Sequence, residues 1–255
     1  MGALRAAETG GVELTRTSPK KLRAPEIMGR LYGAYGADPI PLDHTNAFEL
    51  LIATILSAQS TDKKVNEVTA TLFKKYPGPA AYLAVPEEEL QADLRPTGFF
   101  RQKTKAVRGV SQAVLERYGG EIPLTMQELM TLPGVARKTA NVVLGWLDAP
   151  GHDRDPDAGI AVDTHVKRLA RRFGFSRQQD PDKIERDLMR LLPRSQWNTA
   201  SLVIIFHGRR VCDATRPRCG ACLIEDLCPS SQLVGKRDLA GQAKGLGVGP
   251  PLPVE

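Results

Sequence analysis

Four cysteines, Cys212, Cys219, Cys222 and Cys228, fall within seventeen residues, and the rest of the chain has none. A disulfide framework spreads along a small secreted domain, whereas thiols packed this tightly point to metal. The spacing Cys-x6-Cys-x2-Cys-x5-Cys can hold zinc or a [4Fe-4S] cluster, and cysteine identity alone does not choose. A second candidate for chemistry is an amine. Lys138 stands just past the turn Pro133-Gly134-Val135-Ala136, at the start of a helical run. A lysine attacks carbon only when deprotonated, and a positive helix end, the neighbouring Arg137 and partial burial would all lower its pKa. Asp163, in the run Ile160-Ala161-Val162-Asp163-Thr164-His165, offers the complement. An aspartate before a helix caps it, and a capped carboxylate is held still.

These groups need elements to position them. Thr125 and Glu128 form a capping box that opens a short helix, and Arg137 to Leu144 continue as a second one. The tight turn between them, within 125–147, leaves backbone N–H groups at a helix start free for an anion, and a DNA phosphate is the natural guest. Gly134, Ala136 and Arg137 are the expected contacts there. Elsewhere the pattern is helical almost throughout. Asn46 with Glu49 caps a helix that includes Leu50 to Leu56, Asp62 opens another, and Pro86 with Glu87, Glu88 and Glu89 starts a third. Phe100 to Tyr118 reads as one long helix that Gly119 stops. No alternating strand pattern or internal repeat is present. The fold class is all-α.

Apolar residues make up 42% of 255 and charged residues 25%, with a net charge of +6 that favours a polyanion partner. No stretch holds the roughly eighteen apolar residues that a membrane span needs, and no apolar signal-peptide core follows the N-terminus. Glu8 and Glu13 argue against a transit peptide. A monomer in the cytoplasm, with no membrane partner, is the expectation. Residues 1–22 and 231–255 read as flexible tails.

The residues together resemble a known family. Leu132-Pro133-Gly134-Val135-Ala136-Arg137-Lys138-Thr139-Ala140-Asn141 is similar to the helix-hairpin-helix of the endonuclease III family of DNA glycosylases. The likeness extends over roughly 200 residues and takes in Leu56-Ser57-Ala58-Gln59-Ser60-Thr61-Asp62, the VDTH run at Asp163, and His207-Gly208-Arg209 ahead of the cysteines. Ala136 stands where this hairpin usually has a second glycine, Phe99 where leucine is common, and 151–159 lengthens the link from Lys138 to Asp163.

The resemblance implies a two-lobed fold, with a six-helix domain at 42–157 and a cluster domain from 23–41 with 158–230. It implies that Lys138 is the nucleophile and Asp163 the second catalytic residue. It also implies that Gln59 fills the gap left by an extruded nucleotide, that Phe99 wedges opposite it, and that His165 contacts DNA. Arg101, Lys103, Lys105 and Arg108 would line a phosphate track, with Arg216 and Arg218 also facing the backbone. On the same ground the cysteines would hold a [4Fe-4S] cluster, and the partner would be double-stranded DNA with damaged bases or abasic sites. The implied activity is a bifunctional glycosylase and abasic-site lyase acting on oxidised pyrimidines. Two alternatives stand beside it. An adenine glycosylase lacks the lysine and carries a further C-terminal domain, and a non-catalytic iron–sulfur module would bind DNA without reacting.

Overall fold

A computed structural model describes residues 13–36, 40–147 and 155–233. Among these residues the regular structure is helical throughout: α1 Lys20–Tyr35, α2 Ala47–Leu56, α3 Asp62–Lys75, α4 Pro79–Ala84, α5 Glu87–Leu94, α6 Phe100–Tyr118, α7 Met126–Leu129, α8 Arg137–Leu147, α9 Thr164–Arg172, α10 Pro181–Met189 and α11 Trp197–Arg210. Short 3-10 turns lie at Arg95–Thr97, Arg194–Gln196, Cys219–Ala221 and Glu225–Leu227. No described helix is long and apolar enough to cross a membrane.

Local chemistry explains the starts and stops. The Asn46 side chain accepts from Glu49 N–H, Thr61 from Lys64 N–H and Thr125 from Glu128 N–H, each satisfying a donor that a helix start leaves free. Gly119 ends α6 at φ 63°, a left-handed turn that glycine takes without cost. Helix α1 begins at Lys20, inside the stretch read from sequence as a tail. Leu14 packs on the second core, and Arg16 bonds Glu225 at 3.0 Å, so residues 13–22 are tied to the body. At the other end Ser231 is buried and donates to Glu225. Residues 1–12, 148–154 and 234–255, which hold the rest of the expected tails and part of the 151–159 insertion, lie outside the described residues.

Apolar side chains gather in two cores. The first includes Leu51, Ile52, Val65, Tyr82, Leu94, Val107, Val110 and Val143, from α2 to α8. The second joins Ile27 and Leu31 of α1 to Leu169, Phe173, Leu188, Ile204 and, beyond α11, Ile224 and Leu227. Among its described residues the 42–157 segment carries seven helices where six were expected, two of them very short, since the Thr125 cap winds only a four-residue α7. Helix α8 packs on α2 within the first core and on α11 of the second, so it stands at the junction.

A buried polar seam closes that junction. Glu185 of α10, 3% exposed, takes Arg137 Nε at 2.7 Å, Arg137 Nη2 at 2.9 Å and Asn141 Nδ2 at 2.9 Å. Asn141 Oδ1 accepts from Gly159 N–H at 2.8 Å, and a Cβ at Gly159 would collide with the Glu185 carboxylate, so only glycine lets the strap pass. Asp155, in the segment that lengthens the link from Lys138 to Asp163, is buried, and its carboxylate accepts from the backbone N–H of Met126 and of Asp157. Capping α7 is its work.

The expected phosphate track on α6 also needs correction. Lys103 is buried and donates from Nζ to Thr97 O at 2.7 Å, while Arg108 Nη1 bonds the carbonyls of Tyr82 and Val85 at 3.1 and 2.8 Å. Alternation of charges along a helix cannot reveal which of them turn inward. Arg101 and Lys105 remain exposed.

Candidate active site and cysteine centre

The turn ahead of α8 is built on glycine and proline. Gly134 takes φ 78°, and a Cβ there would press on Ala106 at 3.4 Å. Gly109 of α6 leaves room for Pro133, which would otherwise lie 3.2 Å from a Cβ. Ala136 is not among the described positive-φ residues, so this turn makes no use of the second glycine's freedom. The first bond of the α8 ladder runs from Ala140 N–H to Ala136 O at 3.0 Å, and the N–H groups before it sit at the helix's positive end.

Lys138 follows, half-buried on the first turn of α8. Burial lowers its pKa from the usual lysine value, Asp163 and then Asp62 oppose that shift, and Arg209 reinforces it. Three charged groups, from α3, α11 and the start of α9, therefore act on one amine of α8. Asp163 caps α9, with Oδ1 accepting from Val166 N–H at 2.8 Å, which fixes its orientation. Asp62 pairs with Arg209 Nη1 at 2.7 Å, joining the first lobe to the second beside the lysine. Both stand in motifs quoted from the sequence, yet neither was singled out for the site, because a pairing between residues 147 positions apart leaves no local signal.

His165 lies in the same cluster. Burial lowers its pKa, and Asp163 pulls the other way. Its Nδ1 faces Arg168 Nη2 at 3.1 Å; guanidinium only donates, so Nδ1 accepts and the ring proton sits on Nε2. Gly208 makes room for this contact, since a Cβ there would lie 3.0 Å from His165 Nδ1. Arg168 also bonds the carbonyls of Gly208 and Cys212, each at 3.1 Å, tying α9 to the cysteine loop.

Gln59 and Phe99 stand apart by backbone. Among the described non-glycine residues they are the two with positive φ, 54° and 48°. Gln59 is exposed, and Phe99 is 57% exposed, high for a ring. Strain of this kind survives where the surroundings enforce it and commonly marks a working surface. Arg137, expected as a phosphate contact, is engaged by Glu185 and by Asp157 O at 3.0 Å.

The four cysteines line one cavity of about 360 Å³, counting space open to solvent, together with Arg172, Phe173 and His207. Arg172 Nη1 lies 3.2 Å from Cys212 Sγ, and His207 Nε2 lies 3.5 Å from Cys222 Sγ. His207 is wholly buried, its pKa pushed down to about 4, with Nδ1 against the Tyr35 hydroxyl at 3.2 Å. Burial pushes the Cys222 thiol up to about 12 and raises Cys228 as well. Among the described residues no three His, Cys, Asp or Glu side chains converge on a point that would hold one metal ion.

Residues 52–194 match the model of the HhH-GPD superfamily of base excision DNA repair proteins. Endonuclease III of Synechocystis sp. is 47% identical over 219 residues, 86% of this chain and 97% of the relative. The chain belongs to the endonuclease III family. Endonuclease III of Bacillus subtilis is 46% identical over 205 residues, covering 80% of this chain and 89% of that protein. A solved structure of a trapped endonuclease III–DNA covalent intermediate, in its estranged-adenine complex, superposes with a TM-score of 0.76 at 40% identity, over 86% of this chain and 98% of that one. The Synechocystis match, at 219 residues, is thus longer than the stretch that the family model covers.

Proposed function

We propose that this endonuclease III family member excises damaged bases from duplex DNA and then cleaves the strand, with Lys138 as nucleophile. The observation that carries the reading is the half-buried lysine at a helix start, its pKa lowered, with the fixed carboxylate of Asp163 acting on it. Lys138 Nζ in its neutral form attacks C1′ of the extruded nucleotide. The C1′–N bond breaks, and its electron pair leaves with the base, which takes up a proton. The amine loses a proton and the sugar ring opens, giving a Schiff base at C1′. Loss of a proton from C2′ then expels the 3′ phosphate, which nicks the strand, and water returns Lys138 to its amine. Asp163 serves by accepting the amine's proton and by facing the positive charge that develops on the sugar.

DNA would bind across the junction of the two lobes. The free N–H groups before Ala140 and the turn at Gly134 and Ala136 would hold a phosphate, with Arg137 beside them as structural support. Gln59 would enter the gap in the stack and Phe99 would wedge opposite, each presented by a strained backbone. His165, donating from Nε2, completes the contact set. Oxidised pyrimidines are the substrate class that the family implies.

The cysteine cavity fits a [4Fe-4S] cluster better than one ion: four thiols share the cavity without converging on a point. Arg172, and Arg23 acting on Cys228, supply positive charge against the thiolates. When bound, the cluster supplies a cross-link to a loop that has little core of its own. Cysteine ligation there would fix Arg216 and Arg218, both exposed, towards the DNA backbone. Cys219→Ser should yield colourless or poorly folded protein; well-folded and fully active protein would show that the centre is dispensable.

Borohydride trapping on a duplex with an abasic site tests the enzyme reading. Lys138→Gln should keep measurable DNA binding and lose trapping by on the order of 10³-fold or more. Trapping that persists in that variant would overturn the assignment.

A further inference from the structure

Two consecutive residues ahead of α6 have positive φ, Gly98 at 71° and Phe99 at 48°. Such a bend does not hold itself, since each left-handed non-glycine residue costs on the order of 1 kcal/mol or more. Lys103 grips it from both sides. Its backbone N–H donates to Phe99 O at 3.1 Å, the first bond of the helix, and its side-chain Nζ donates to Thr97 O at 2.7 Å. Thr97 is itself 2% exposed and donates from Oγ1 to Leu94 O at 2.8 Å, so the gripped carbonyl belongs to a turn that is pinned in turn.

The cost of this arrangement is plain. Lys103 is 4% exposed, and no carboxylate within reach supports its ammonium among the described residues. A buried cation with one carbonyl partner is unfavourable where an apolar side chain of equal length would fill the space. Its place at the base of a strained, 57% exposed ring gives it a purpose other than packing.

We infer that Lys103 is a positioning residue for the DNA wedge: by bonding the carbonyls on both sides of Gly98-Phe99 it holds the Phe99 ring out where it meets the duplex. This rests on the reading of Phe99 as a wedge. Lys103 touches no reacting atom, and Lys138 sits on another element. Its loss should therefore be felt only where two strands must be parted.

The test compares borohydride trapping on an abasic site in duplex and in single-stranded DNA. Lys103→Met, of similar length without the donor, should lose about tenfold on duplex while its single-strand rate stays within about twofold. Lys103→Gln keeps a donor one bond shorter, should fall between, and carries the test if the Met variant does not fold. Equal loss on both substrates, or loss on neither, would overturn the inference. Phe99→Ala is the reference. Without a duplex defect in Phe99→Ala, the wedge reading fails; with that defect present and none in the Lys103 variants, the Lys103 inference alone fails.

Discussion

A lysine amine in water is almost wholly protonated at neutral pH, so Lys138 must owe any nucleophilicity to its surroundings. Burial lowers its pKa and Arg209 pushes the same way, while Asp163 and Asp62 hold it up. The deprotonated form attacks, so single-turnover trapping should rise with pH and level off below the ordinary lysine value of 10.5. Removing Arg209 deletes a like charge and raises the amine's pKa. Arg209→Leu should therefore move the inflection to higher pH and slow the reaction near pH 7. A pH–rate profile over both proteins checks this, and an inflection that stays put or moves down would show that Arg209 does not tune the amine. At this scale Lys138, Asp163 and the four cysteines could be picked out as candidates from sequence, since each lies in a dense local motif. The partners could not. Arg209 and Asp62 stand 147 positions apart and meet only in the fold.

Helix starts carry much of the site, and one of them separates two roles in a single side chain. Asp163 caps α9 through Val166 N–H and also presents charge to Lys138. Asparagine caps nearly as well but is neutral. Asp163→Asn should keep the melting temperature close to that of the parent and lose roughly 10²-fold or more in excision rate. Asp163→Ala should lose the same activity and about 1 kcal/mol of stability besides. Thermal melts beside kinetics distinguish them, and near-full activity in the Asn variant would make Asp163 a cap alone. Caps were readable because Ser, Thr, Asp and Asn act within three residues. The inward turn of Lys103 and Arg108 was not readable, because the carbonyls they bond are set by how α6 lies on α4 and on the turn before it.

The molecule as a whole depends on keeping its two cores in register, since Lys138 comes from one and Asp163 opens the other. Helical periodicity and the motif order made the all-α class and the hairpin legible, but the seam between the cores was not. Glu185, Arg137, Asn141 and Gly159 are each unremarkable in sequence and become a unit only by juxtaposition. Glu185→Ala strands the half-buried Arg137, whose side chain is 30% exposed, and should cost about 2 kcal/mol. That corresponds to a fall of roughly 4–8 °C in Tm, with excision slowed as the cleft loosens. An unchanged Tm would show that the seam is not what joins the lobes. The measurement that bears on everything else is chemical. Borohydride-reduced enzyme on an abasic duplex, digested and mapped by mass spectrometry, should carry its sugar adduct on the peptide containing Lys138 and at Lys138 itself. An adduct on another lysine, or no covalent product from folded, DNA-binding protein, would contradict the assignment of this amine as the nucleophile.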